Sequence, residues 1–135
     1  MYKNILIPIA MDNDARAADA IEVATAVSAE GATITLLHVM EHLPAYATTY
    51  LPQDHLAKTR AEIAAKLTAL AGERANMSAE VIEGHSGKTI LAYAADKGKD
   101  LIVVASHLPG MQDLLIGSTA AQVVRHAQCS VLVMR

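Results

Sequence analysis

The sequence predicts an α/β fold: a doubly wound, open five-stranded parallel sheet in the order 3-2-1-4-5, with helices on both faces. Three observations lead there. Aliphatic runs of strand length, apolar on both side-chain rows, recur along the chain, as in strands covered on both sides. Between them lie longer stretches whose apolar residues repeat at three- and four-residue intervals, the spacing of a helix face. The 135 residues, 53% of them hydrophobic, suffice for one sizeable core and leave no room for a second, so residues 1–135 are expected to form a single domain.

The first strand is Asn4 to Ile9, ending where Pro8 removes a ladder donor. After a polar break at Met11-Asp12-Asn13-Asp14, Ala15 to Ala29 places Ala17, Ala20, Ile21, Ala24 and Val27 on one helical face, with Gly31 ending the helix. Ala32 to Val39 is the second strand. Met40 to Pro52, which contains Pro44, Tyr46, Thr48, Thr49 and Tyr50, reads as a loop of a length that often serves function. Gln53 to Arg74 is the longest helix: Leu56, Ile63, Leu67 and Leu70 form its apolar face, Lys58, Arg60 and Lys66 belong to a solvated one, and it stops near Gly72.

Met77 to Ile82, with polar residues interleaved, suits a strand at a sheet edge. Gly84 to Gly87 is a turn in which Ser86 is placed to cap a helix from Lys88 to Lys97, ended by Gly98. Leu101 to Ala105 is the fourth strand, Ala120 to His126 the last helix and Ser130 to Met134 the last strand. In this order the winding direction switches between the first and fourth strands, so the ends of Ile9 and Ala105 flank one crevice.

Composition excludes several partners. The only aromatics are four tyrosines, the net charge is -3 and no Lys/Arg run occurs, so both the stacking platforms and the basic footprint of a nucleic-acid binder are missing. Neither nucleic acid nor a membrane is an expected partner. The single Cys129 cannot form an intrachain disulfide, no apolar run reaches bilayer length, and MYKNILIPIA is too short for a signal-peptide core. A cytoplasmic location is expected.

The chemistry concentrates between Lys99 and Thr119. The fourth strand ends in Ser106-His107, and after a loop Gly117-Ser118-Thr119 opens a helix. Ser118 or Thr119 is placed to cap it, and Gly117 can take a backbone angle that a side chain would forbid. Such a junction at the carboxyl edge of a parallel sheet holds anions through backbone N–H groups and the helix dipole. Gly84 to Thr89, reading GHSGKT, lacks the early glycine of a phosphate-binding P-loop, since Ile82 stands there, and Lys88 is read as a solvated side chain. The six histidines show no metal-ligand spacing. His107 sits at the crevice mouth as a polar lining residue, and no nucleophile, base and orienter come together, so no catalytic residue is assigned. Cys129 reads as a small hydrophobe.

Ala105-Ser106-His107, Gly117-Ser118-Thr119 and the closing stretch from Val124 to Val133, with the opening YKNILIPIA and the strand LLHVM, resemble the universal stress protein family across the whole chain. Ala-Ser-His with a proline following is similar to a small branch sometimes called the F/G type. The resemblance implies a cytosolic homodimer that binds ATP, alone or with Mg, with little or no turnover. Carried over by position, adenosine would lie against Pro8, Ile9, Ala10 and the backbone of Val39, and the phosphates would meet Ala105, Ser106, His107, Gly117, Ser118 and Thr119. The dimer would form through Ser130, Val131, Leu132, Val133 and Met134.

Two departures accompany the resemblance. Ala105 and Leu108 replace the early glycines of the family's nucleotide motif, and the spacer to Gly117 is eight residues, one shorter than the family's. Ala10 stands where ATP-binding members usually carry an aspartate, with Asp12 two residues on. Three readings follow: a non-enzymatic nucleotide-binding stress protein, a family member that has lost the nucleotide and acts as a dimeric interaction module, and an ATP-consuming enzyme. The third would need a serine- and glycine-rich loop after the first strand, and Met11-Asp12-Asn13-Asp14 contains neither residue.

Overall fold

The computed structural model describes residues 1–11, 14–42, 46, 54–105 and 117–135. Among them, strands β1 (Tyr2–Pro8), β2 (Ser28–Met40), β3 (Met77–Glu83), β4 (Leu101–Ala105) and β5 (Ser130–Met134) alternate with helices α1 (Asp14–Ala26), α2 (His55–Ala71), α3 (Ser86–Asp96) and α4 (Ser118–His126). Every ladder is parallel and the order is β3-β2-β1-β4-β5, as the alternation predicts. The two apolar rows of each central strand serve two cores. Ile5, Ile7, Ile34, Leu36, Leu101 and Val103 pack with Ala17, Ala20, Ile21 and Ala24 of α1 and Leu67 of α2. Leu6, Leu37, Ile102 and Val104 pack on the other face with Ile90 and Ala94 of α3 and Ala120 and Val123 of α4.

Local chemistry shifts several boundaries from the sequence expectation. Helix α1 stops at Ala26, not Ala29, because the Ser28 hydroxyl turns back to the Ala24 carbonyl at 2.7 Å and Tyr2 N–H takes the carbonyl of Val27 into the sheet. Gly31 is therefore not a helix stop. It lies inside β2 at φ 78, where the ladder advances from Tyr2 opposite Ser28 to Asn4 opposite Thr33, and the surplus residues on β2 form a bulge. In α2, Leu67 is buried and Ile63 and Leu70 pack against it, but Leu56 in the first turn is exposed. Arg60 is not simply solvated: its Nη2 donates to the Val81 carbonyl at 2.6 Å and ties α2 to the edge strand β3. The polar interleaving of β3 does mark a sheet edge.

At the amino edge of the sheet, Lys99 Nζ donates to Asn4 Oδ1 and Thr35 Oγ1, both at 2.8 Å. Thr35 is the buried polar side chain of the described core, so this lysine satisfies an oxygen that water reaches poorly. Burial pushes the Lys99 amine below its ordinary value. Among the described residues no helix is long and apolar enough to cross a membrane.

Candidate functional site

The sheet parts where the winding switches. β1 and β4 share only the pairs Ile5 with Leu101 and Leu6 with Ile102, whereas β1 stays paired with β2 to Pro8 and Leu37, and β4 with β5 to Ala105 and Met134. The carboxyl ends of β1 and β4 thus border a crevice, the place where open parallel sheets expose inward-facing backbone.

One wall is the end of β1. Ile9 N–H donates to the Leu37 carbonyl at 2.7 Å, and the Ile9 carbonyl accepts from His38 Nδ1 at 2.7 Å, a partner that requires the proton on that nitrogen. Ile9 is buried between these bonds, Pro8 is half-buried, Ala10 emerges exposed and Val39 of β2 is buried beside them. Pro8, Ile9 and Ala10 thus form a backbone platform that β2 holds in place beside Val39, while the side chains of Ile9 and Val39 enter cores on opposite faces of the sheet. Sequence reading missed the His38 contribution, because a histidine inside a strand shows no spacing signal of its own.

The other wall is the end of β4, where Ala105 is exposed, and the start of α4. Here two expectations are corrected. Gly117 is itself the cap residue at φ -63 and ψ 157, an extended conformation open to any side chain and not a forbidden angle. Ser118 and Thr119 are the first helical residues and neither makes a side-chain cap bond, because both lie beyond the cap position. The Gly117 carbonyl accepts from Ala121 N–H at 2.9 Å, which starts the helical ladder. Among the described residues, no side chain caps the first N–H groups of α4. Ser106 and His107, and with them Leu108 and Asp12, lie outside the described residues.

Helix α3 begins differently. Its cap residue is His85, not Ser86, and the Ser86 hydroxyl is committed elsewhere: both it and the Ser86 N–H donate to Glu41 Oε1, at 2.6 and 3.0 Å. These bonds, with lesser help from His85 and His42, hold the Glu41 carboxyl below its ordinary value. His85 Nδ1 lies 3.5 Å from Glu41 and His42 Nδ1 lies 3.7 Å from Glu83. A carboxylate of the chain thus already takes the Ser86 N–H and hydroxyl at the positive end of α3. Among the described residues, no carboxylate takes the corresponding place at the start of α4.

A cleft of about 530 Å³ lies at the opposite, amino edge, between the C-terminal ends of α3 and α4. Its walls include Leu91, Ala94, Ile102 and Ala127, and Cys129, whose thiol is pushed up by burial and packs as the small hydrophobe expected of it. The cleft presents no helix start and does not coincide with the crevice. Among the described residues no group of three His, Cys, Asp or Glu is placed to hold a metal ion.

The arrangement has relatives. A model of the Universal stress protein family matches residues 1–135. Universal stress protein A homolog 2 of Coxiella burnetii is 32% identical over 148 residues, covering 99% of this chain and 95% of that protein. Universal stress protein G of Escherichia coli O157:H7 is 27% identical over 145 residues, covering 100% of both. The structure of UspA from Lactobacillus plantarum superposes with a TM-score of 0.72 at 29% identity, covering 99% of this chain and 98% of that one. The fold also matches a universal stress protein of Archaeoglobus fulgidus in complex with dAMP, at a TM-score of 0.66 and 15% identity over 99% and 98% of the two chains. It matches a family protein of Arabidopsis thaliana with AMP bound at 0.61 and 16%, over 98% and 90%. From its first strand to its last, the chain belongs to the universal stress protein family.

Proposed function

We propose that this chain is a non-enzymatic, adenine-nucleotide-binding stress-response protein of the cytoplasm, that its ligand is ATP, alone or with Mg, and that it acts as a homodimer through β5. The observation that carries the reading is the start of α4, which no described side chain caps, beside the Ile9 platform across the split in the sheet. The α4 start suits phosphate and the platform suits a nucleoside. Family neighbours solved with dAMP, AMP and cAMP support the nucleoside part. In this reading Pro8, Ile9, Ala10 and Val39 meet the adenosine, while Ala105, Ser106, His107, Gly117, Ser118 and Thr119 meet the phosphates. No step of turnover is assigned to any residue.

Ala10 favours a second reading. Exposed at the end of the platform, it brings no carboxylate to the nucleoside, as befits a dimeric interaction module that has dispensed with the nucleotide. Mass spectrometry of ligand released from freshly purified protein, followed by equilibrium binding of labelled ATP to the stripped protein, separates the two. Saturable one-to-one ATP binding is expected. Its absence, with no nucleotide released, would leave the interaction module.

A further inference from the structure

We propose that Lys88 lends its ammonium group to the phosphate end of a nucleotide seated at the start of the neighbouring helix α4, so that the chain prefers adenine nucleotides carrying a polyphosphate over monophosphates. The inference rests on the reading above and adds a residue which that reading does not contain.

The two helices meet at Gly87. It is buried in the first turn of α3, and a Cβ at that position would run into the side-chain amide of Gln122 in α4. Gln122 is one turn inside α4, counted from Ser118. Each helix follows a strand of the same parallel sheet, so both begin at its carboxyl edge. The start of α4 therefore stands about 5.4 Å beyond the contact.

Lys88 is the next residue after Gly87 and is exposed. Gly87, Ile90 and Ala94 mark the buried face of α3. Leu91 and Ala95, one and two turns after Gly87, line the cleft shared with His126 and Ala127, which fixes the flank that α3 turns toward α4. A step of about 100° per residue carries Lys88 from Gly87 to the solvent side of that same flank, not to the far side of the helix. Helical side chains lean toward the helix N-terminus, here the carboxyl edge, and the four-carbon stem of lysine spans the rise of a turn. Among the described residues no ion pair holds Lys88. At its own helix start, the Ser86 N–H and hydroxyl are already taken by Glu41. The lysine of GHSGKT thus serves the adjacent helix start, a role invisible while the motif is read along one element.

The test is equilibrium binding of ATP, AMP and adenosine to the stripped full chain and to Lys88→Ala, Lys88→Arg and Lys88→Glu, each at two salt concentrations. Lys88→Ala should weaken ATP by about five- to twenty-fold, AMP by less, and adenosine not at all, with a shallower salt dependence for ATP. Lys88→Glu should weaken ATP further, and Lys88→Arg should restore it. Unchanged adenosine affinity doubles as the control for folding. ATP affinity equal to the parent's in both Lys88→Ala and Lys88→Glu overturns the inference, as does a loss shared equally by adenosine. A parent that binds adenosine and ATP alike overturns it and leaves the nucleoside site standing; a parent that binds neither overturns both.

Discussion

The Glu41 carboxylate receives both the backbone N–H and the hydroxyl of Ser86, residues 45 apart in sequence, and so joins the end of β2 to the start of α3. Both bonds favour the ionised carboxylate, which places its folded pKa below the ordinary 4.5. The stabilisation is complete above that ordinary value and is lost as pH falls through the lower folded one. Glu41→Gln should therefore lower the thermal midpoint at neutral pH, and the gap from the parent should close in strong acid. A gap that stays constant down the acid range would contradict the assignment.

At the crevice, Gly117→Val should weaken ATP binding more than Ser118→Ala. The alanine removes one hydroxyl, typically worth about 0.5–1.5 kcal/mol, whereas the valine puts a branched side chain at the mouth of α4. Because Gly117 has an extended backbone, the valine variant carries no strained-angle cost beyond the weaker cap that valine makes, and its binding defect in the folded protein is then a site effect. Titration of both variants checks the ranking, and ATP affinity of the parent's strength in folded Gly117→Val would place the phosphates elsewhere.

Ala10→Asp asks whether the missing carboxylate is a loss or a redesign. Ala10 is exposed at the end of the Ile9 platform, so an aspartate there needs little room. A charged hydrogen bond to a ribose hydroxyl or the adenine amine contributes about 1.5–3 kcal/mol before desolvation is subtracted, so affinity should rise by less than that figure implies. Affinity that is unchanged or lower in the folded variant points to the interaction module.

The strands were legible from sequence because burial on both faces demands an uninterrupted aliphatic run, and Leu101 to Val104, all buried, is such a run. Their order followed from alternation and crossover handedness. Termini and caps were less legible because they depend on partners distant in sequence. Ser86 looks like a cap beside its own helix, yet Glu41 on β2 claims its hydroxyl. Gly31 looks like a helix stop, and only the register of β1 on β2 shows it to be a bulge. At the site, the hydrogen bond of His38 to Ile9 needs two adjacent strands before it exists.

Tyr93 offers a spectroscopic check on the amino-edge network. Its hydroxyl donates to Glu80, and burial first, then the Glu80 bond and charge, push the phenol from 10.0 up to about 12. The unfolded chain ionises earlier, so this contribution is complete below pH 10.0 and is lost as pH rises toward about 12. In a phenolate absorbance titration of the four tyrosines, one should ionise near 12, and Tyr93→Phe should remove that step. Glu80→Gln should move it downward. A titration complete near 10.0 in the parent would refute the contact.

The two edges of the sheet are treated differently. On β3, Arg60 takes the Val81 carbonyl and α2 leans over the strand. On β5, Arg16 holds the carbonyl of Arg135, one residue past the strand, and Ser130 to Met134 contains no proline and no charge. Leu132 and Met134 pack toward α1 while Val131 and Val133 pack toward α3 and α4, yet all four remain only half-buried. An apolar edge with an unpaired row of backbone donors and acceptors invites another strand. In the proposed dimer, a two-fold axis beside β5 would bring the same strand of a second copy alongside, antiparallel, closing both edges at once. Val133→Lys would then set two ammonium groups near one another across the axis, and Leu132→Pro would delete a ladder donor. In sedimentation at micromolar concentration the parent should run at twice 14.3 kDa and Val133→Lys at 14.3 kDa with its circular dichroism retained. A parent that sediments as a single 14.3 kDa species leaves β5 an unpaired edge and ends the dimer proposal.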